Sequence, residues 1–216
     1  MKACKSYSDY FIFPSIWAKD YINFSDKNCA VIDNAPMPVF HENKNTSLDV
    51  DGIPKLVTHH WSTNVKKGFD IYVKLEEHIK NTSEFEFQYI GRLPENVKLQ
   101  NHVSPADAVT LSKILPKNDI YITASKEEAG ANHVLEAIAC GLPVVYHDQG
   151  GSINEYCHEY GSGYRTFDEL LVSIRNTVSN YKQIKTRLLL YENVNSHVVE
   201  RYIDIIGEVA NEQKQN

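Results

Sequence analysis

Nowhere does this chain of 216 residues approach the roughly 18 consecutive apolar residues that a membrane span requires. Its first residues, Met1 to Tyr7, lack the apolar core of a secretory signal. Cytoplasmic residence is therefore expected, with a peripheral place at a membrane as the variant. Positive charge is also scarce: the formal net charge is -6, which argues against a nucleic-acid partner, since that grip needs a basic stripe. A small basic pocket for a phosphate stays open. The four cysteines, Cys4, Cys29, Cys140 and Cys157, are scattered and show no metal-ligand spacing. Of nine histidines only His59 and His60 are adjacent, and neighbours in a strand point to opposite faces. With no His-Glu-x-x-His run either, no metal is expected. Internal repeats and low-complexity segments are missing too.

What remains is an ordinary globular composition, 42% hydrophobic and 23% charged, in a chain long enough for one buried domain and an appendage. From Lys55 onward apolar strands alternate with amphipathic helices. Lys55 to His60, Phe85 to Gly91, Asp119 to Thr123 and Leu142 to Tyr146 read as strands. Phe69, Tyr72, Val73 and Ile79 recur near helical spacing, Ser104-Pro105 reads as a capped helix start, and Gly150-Gly151-Ser152 opens another helix. Residues 167–209 read as two or three more helices, and 211–216 as a polar, frayed tail. Such alternation predicts an α/β fold: a parallel sheet with helices on both faces, binding its ligand at the carboxyl ends of the strands. The first 50 residues differ. Tyr10 to Ser15 reads as a strand, Ile16 to Ile22 as a short helix and Cys29 to Asp33 as a strand. Pro36-Met37-Pro38 marks a connector and 41–52 a loop.

The densest signal is Glu128-Ala129-Gly130-Ala131-Asn132-His133-Val134-Leu135-Glu136, followed by Gly141-Leu142-Pro143 and an apolar strand. The small residues let the backbone approach a ligand at a helix start, where free N–H groups and the helix dipole favour a phosphate. On this reading Glu128 sits at the rim and Glu136 about two turns into the helix. Two acceptors flanking an anion site suit a ligand with a diphosphate in the middle and hydroxyls at both ends. A nucleotide-sugar has that shape. Glu128 by itself is equally well explained as a solvated acidic helix start, because Glu127 beside it carries the same charge. Cys140 is read as packing.

This run resembles the paired-glutamate motif of the retaining, group-1 glycosyltransferases of GT-B fold. The resemblance implies a Rossmann-like carboxy-terminal half, residues 51–210, that binds the nucleotide-sugar. It implies that residues 1–50 are the end of an amino-terminal domain and its linker, a strand–helix–strand remnant of the half that normally binds the acceptor. It also implies that Glu128 contacts the donor sugar, as a catalytic residue, and that Glu136 holds the ribose. Gly130, Ala131, Asn132 and His133 then line the substrate. Where the family carries Gly then an aromatic after the first Glu, this chain has Ala129 and Gly130.

A second loop, Trp61 to Gly68, ends in Lys67-Gly68 at the same sheet edge and can hold a phosphate by charge and backbone N–H groups. The family's loop carries Gly-Arg, four variable residues and then Lys-Gly, with both cations on the diphosphate. Lys67 matches the lysine; Ser62 stands where the arginine belongs and offers only a neutral hydrogen bond. Arg92, after the next strand, either stacks on the base, replaces that arginine, or is a solvated turn residue. Glu155 is read as capping backbone, and His59 and His60 as weak candidates at the pocket edge.

The function so implied is transfer of a sugar, with retention, from a nucleoside-diphosphate sugar to a glycan, lipid or protein hydroxyl. The nucleotide-sugar is a co-substrate; no cofactor and no metal are expected, because Lys67 and the helix start supply the positive charge. The alternative is a non-catalytic nucleotide-sugar-binding module, or a subunit completed by a separate acceptor-domain chain. An epimerase of the same fold is a third reading.

Overall fold

The computed structural model describes residues 7–215. Cys4 and the end of the polar tail, Asn216, lie outside them.

Six strands form one sheet: β3 (Lys55–His60), β4 (Glu86–Gly91), β5 (His102–Val103), β6 (Ile120–Thr123), β7 (Val144–His147) and β8 (Gly161–Tyr164). Every pairing is parallel and the order is β5-β4-β3-β6-β7-β8. The chain thus starts in the middle, winds outward to β5, then returns to β6 and winds the other way. The order reverses between β3 and β6, and a crevice opens there at the carboxyl ends of the strands.

Period-two alternation sends each strand's apolar residues into two separate cores. Val57, Ile90, Tyr121 and Val144 pack on one face against α4 (Ala108–Ile114), α5 (Asn132–Ala139) and α6 (Ser152–Cys157). Their neighbours Leu56, Tyr89, Ile122 and Val145 pack on the other face against α3 (Phe69–Thr82) and α7 (Phe167–Ser179). Both faces are covered, so the strands read as continuous apolar runs rather than polar–apolar alternation. The α/β expectation holds.

Before the sheet lie β1 (Phe11–Phe13), α1 (Ile16–Tyr21), β2 (Cys29–Val31) and a one-turn α2 (Val39–Glu42) inside the connector. β1 and β2 pair in parallel as a separate two-stranded sheet. After it come α8 (Tyr181–Leu188) and α9 (Asn195–Gln215). Helix α9 runs through residues 211–215, where the sequence suggested a frayed tail. Two short strands, β5 and β8, carry too little apolar pattern to be seen in sequence; each survives as an edge of the sheet. The helix expected at Ser104-Pro105 begins instead at Ala108. Asp107 is its cap, its carboxylate accepting from Thr110 N at 2.8 Å, which a Ser four residues from the first full turn cannot do.

Among the described residues no helix is long and apolar enough to cross a membrane.

Candidate functional site

Two loops build the crevice. After β3, Trp61 to Asn64 lead into a single 3-10 turn, Val65–Lys67, capped at its start by the Asn64 side chain, which accepts from Lys66 N at 2.9 Å. Gly68 ends the turn at φ +70, and a Cβ there would stand 2.5 Å from the Ala124 carbonyl oxygen. Only glycine lets this loop lie against the end of β6. After β6, the loop to α5 is pinned on both sides. Lys126 N donates to Lys66 O at 2.9 Å, and Glu127 N and Glu128 N donate to Gln149 O and Gly150 O at 2.8 and 3.1 Å. Glu127 pays for this path with φ +55, in the left-handed region that a β-carbon disfavours.

Between the loops lies a cleft of about 400 Å³ lined by Lys67, Glu128, Glu136 and His133, with Ser62, Gly130, Ala131 and Asn132 around them. Eight of the nine residues expected at the site therefore meet here. Lys67 and Glu128, both half-buried, form an ion pair across the mouth; Lys66 and Glu127 form a second, exposed pair beside it. Helix α5 begins at Asn132, so Glu136 lies just over one turn in rather than two, and Glu128 stands four residues before the helix. The Glu136 carboxylate meets His59 Nε2 at 2.7 Å.

Three imidazoles floor the cleft. His60 Nε2 is 2.8 Å from the Tyr72 hydroxyl, and His133 Nε2 is 3.2 Å from Thr123 Oγ1. The His60 and His133 rings are 5.1 Å apart. Burial, with Lys67 and His59 nearby, holds His60 well below the usual histidine range; burial, with His60 and Lys67 nearby, does the same to His133. Both are neutral at pH 7, which leaves Lys67 as the cation of the cleft.

Several of these residues, and others singled out in the sequence, have further partners. Arg92 is exposed and outside the cleft lining, its guanidinium 5.9 Å from the centre of the Trp61 ring. The Ser62 hydroxyl accepts from Asn64 N at 3.1 Å, so it serves its own loop. The space beside Gly130 is filled by Asn34 and Pro14, since a Cβ there would stand 2.7 Å from Asn34 Nδ2 and 2.9 Å from Pro14 Cβ. Glu155 does cap backbone, but that of another unit: its carboxylate accepts from Ile16 N and Trp17 N at 3.1 and 2.6 Å. Cys140 is fully buried and burial pushes its thiol up to about 12, as suits a packing residue. Among the described residues no group of three or more His, Cys, Asp or Glu could hold a metal ion.

Sequence reasoning missed the contribution of the amino-terminal unit. Ser15 Oγ donates to Ala129 O at 2.7 Å, Asn34 Nδ2 to Asn132 Oδ1 at 2.9 Å, and the Tyr156 hydroxyl to Pro14 O. These contacts brace the Glu128 loop from outside. No local pattern announces them, because the partners lie about a hundred or more positions apart.

A family model described as glycosyl transferases group 1 matches residues 54–191, more than half of the chain. The chain belongs to this family. No curated protein sequence matches it. Among solved structures, this group-1 glycosyltransferase is similar in fold to the pneumococcal O-GlcNAc transferase GtfA in complex with UDP and GlcNAc. The identity is 15% and the TM-score 0.68, over 96% of this chain and 46% of GtfA. A GtfA/B complex matches at 17% identity and TM-score 0.64, over 97% of this chain and 47% of that one. A glycosyltransferase from Rickettsia africae matches at 14% identity and TM-score 0.74, over 93% and 63% respectively. The chain thus spans about half to two thirds of the length of these structures. At such identities the likeness is one of fold: the Rossmann-like, GT-B type of α/β domain.

Proposed function

We propose that the cleft binds a nucleoside-diphosphate sugar and that the protein takes part in transfer of the sugar, with retention, to a hydroxyl of a glycan, lipid or protein. The observation that carries this reading is the convergence of one cation and two carboxylates, Lys67, Glu128 and Glu136, on a single cleft at the reversal point of the sheet. The diphosphate lies by Lys67 and the first turn of α5, where the ammonium and the helix dipole stabilise the charge that develops as the sugar–phosphate bond breaks. The sugar hydroxyls meet Glu128 and the ribose hydroxyls meet Glu136. Lys67 lies on the Glu128 carboxylate in this structure, so an incoming diphosphate and sugar exchange one ion pair for two ligand contacts. No metal is required in this scheme, and neutral His60 and His133 leave the cleft's positive charge on Lys67.

Thermal-shift titration with uridine, guanosine and adenosine diphosphates and their sugars tests the donor site; UDP, present in the GtfA structure, comes first. One nucleotide should raise the melting temperature, and both Lys67→Ala and Glu136→Ala should abolish the rise. No rise with any nucleotide sinks the reading.

A second reading, completion by a separate acceptor-domain chain, is favoured by the amino-terminal unit. A two-stranded sheet such as β1–β2 is marginal by itself. Beside it, α9 turns Val199, Ile203 and Ile206 outward at helical spacing, 55%, 62% and 61% exposed. A chain adding strands to β1–β2 and covering that stripe would supply the acceptor site. The GtfA/B complex is a precedent for assembly in a structure of like fold.

A further inference from the structure

His59 is the third imidazole of the cleft floor, and its surroundings are unusual for a packing histidine. It sits on β3, only 3% exposed. Its backbone is fixed by Tyr121 of the adjacent strand: His59 N donates to the Tyr121 hydroxyl at 3.1 Å, and that hydroxyl donates to His59 O at 3.2 Å. The two rings meet edge to face at 5.5 Å. The imidazole therefore has little freedom to move.

Of its two nitrogens, Nδ1 is buried without a hydrogen-bond partner among the described residues. Burying an unmet polar atom is unfavourable, a cost that a leucine of similar reach would not incur. What the ring gains in return is Nε2, aimed at Glu136 Oε2 across 2.7 Å. Because a carboxylate only accepts, Nε2 carries the proton of this contact and donates it to Glu136 Oε2. This is the Glu136 side chain's only hydrogen bond among the described residues, and it engages one oxygen while Oε1 is left to the cleft. A free glutamate would lose rotamer freedom when it first clasps a ligand. Here the ordering is done before the ligand arrives.

We propose that His59 is a positioning residue for the ribose subsite: its Nε2–H holds Glu136 by one oxygen and presents the carboxylate, pre-ordered, to the ribose hydroxyls of the donor nucleotide. The proposal rests on the reading of Glu136 as the ribose ligand. It predicts that removing the imidazole donor weakens recognition of the ribose and leaves recognition of the diphosphate alone.

The test is calorimetric titration of the full chain with uridine, guanosine and adenosine diphosphates, their 2′,3′-dideoxy counterparts and inorganic pyrophosphate. The variants are His59→Leu, the bulkier His59→Phe in case the smaller side chain leaves β3 loose, His59→Gln, which restores a donor, and Glu136→Ala. The expected result has four parts. The wild type prefers ribose over dideoxyribose; Glu136→Ala abolishes that preference; His59→Leu and His59→Phe cut it by about tenfold, the scale of one hydrogen bond to a charged group; His59→Gln recovers part of it, with pyrophosphate affinity constant throughout. If the two donor-less variants keep the wild-type preference, or bind the ribonucleotide more tightly, while Glu136→Ala loses it, the role of His59 is overturned and the ribose reading stands. If the wild type shows no preference, or Glu136→Ala retains it, the ribose reading itself fails and the His59 role falls with it.

Discussion

Lys67 and Glu128 occupy each other in this structure, and that single contact sets the energetics of the cleft. The two side chains are 15% and 21% exposed, so the pair is partly reached by solvent and open to displacement by a ligand. On the proposed reading a diphosphate, which carries more charge than one carboxylate, displaces Glu128 from the ammonium. The substitution Glu128→Gln should therefore bind a nucleoside diphosphate at least as tightly as the wild type, because its Lys67 is already free. It should lose most of the added affinity that the sugar gives. Calorimetry with a nucleoside diphosphate beside its sugar conjugate checks both halves, and equal losses for the two ligands would remove Glu128 from the sugar. At this scale the site was legible where charge and spacing carry meaning: Lys67 before its glycine, and Glu128 and Glu136 around small residues. It was illegible where a role depends on a partner far away in the chain. His59 reads only as a weak candidate at the pocket edge until α5 brings Glu136 to it, and the packing of Asn34 beside Gly130 has no sign in the local sequence.

Among the elements, the two site loops are the least forgiving part of the molecule. Gly68 must hold a positive φ with Ala124 against its α-carbon. Gly68→Ala should destabilise the protein by at least about 1–2 kcal/mol, the usual penalty of a left-handed residue with a β-carbon, plus the displacement of the β6 end. A urea midpoint lowered accordingly, with nucleotide binding weakened in parallel, is the expected outcome; an unchanged midpoint would mean that the loop is free to move. Apolar periodicity made the long strands and helices readable, since each buries a continuous face. Helix starts were less so: the true cap, Asp107, is one of two polar candidates three residues apart, and only the geometry of Thr110 N chooses between them. β8, Gly161-Ser162-Gly163-Tyr164, is held as a strand by pairing along β7 rather than by its own composition.

For the molecule as a whole, Lys185 of α8 ties the connector to the six-stranded sheet. Fully buried, it donates to Asn45 O at 2.5 Å and to Gly141 O at 2.6 Å. Burial pushes its ammonium down from the ordinary 10.5 to about 8, and a neutral amine still has two N–H groups for the two carbonyls. Lys185→Met should cost about 1–3 kcal/mol at neutral pH by stranding them. Between pH 8 and 10.5 the unfolded chain binds the proton that the folded one has released, so folding gains stability from this group as pH rises. The gap between wild type and Lys185→Met, read from denaturant midpoints, should widen across that window; a constant gap would refute the assignment.

The bracing of the Glu128 loop by Ser15, Pro14 and Asn34 has its own consequence. One wall is shared by the Glu128 end of the cleft and by the unit that carries the two-stranded β1–β2 sheet. A partner on β1–β2 that shifts this wall changes the affinity of whatever fills the cleft, and such linkage is reciprocal: each tightens or loosens the other by the same factor. Acceptor machinery and donor would thus count as effectors of one another, at a distance, through a single loop.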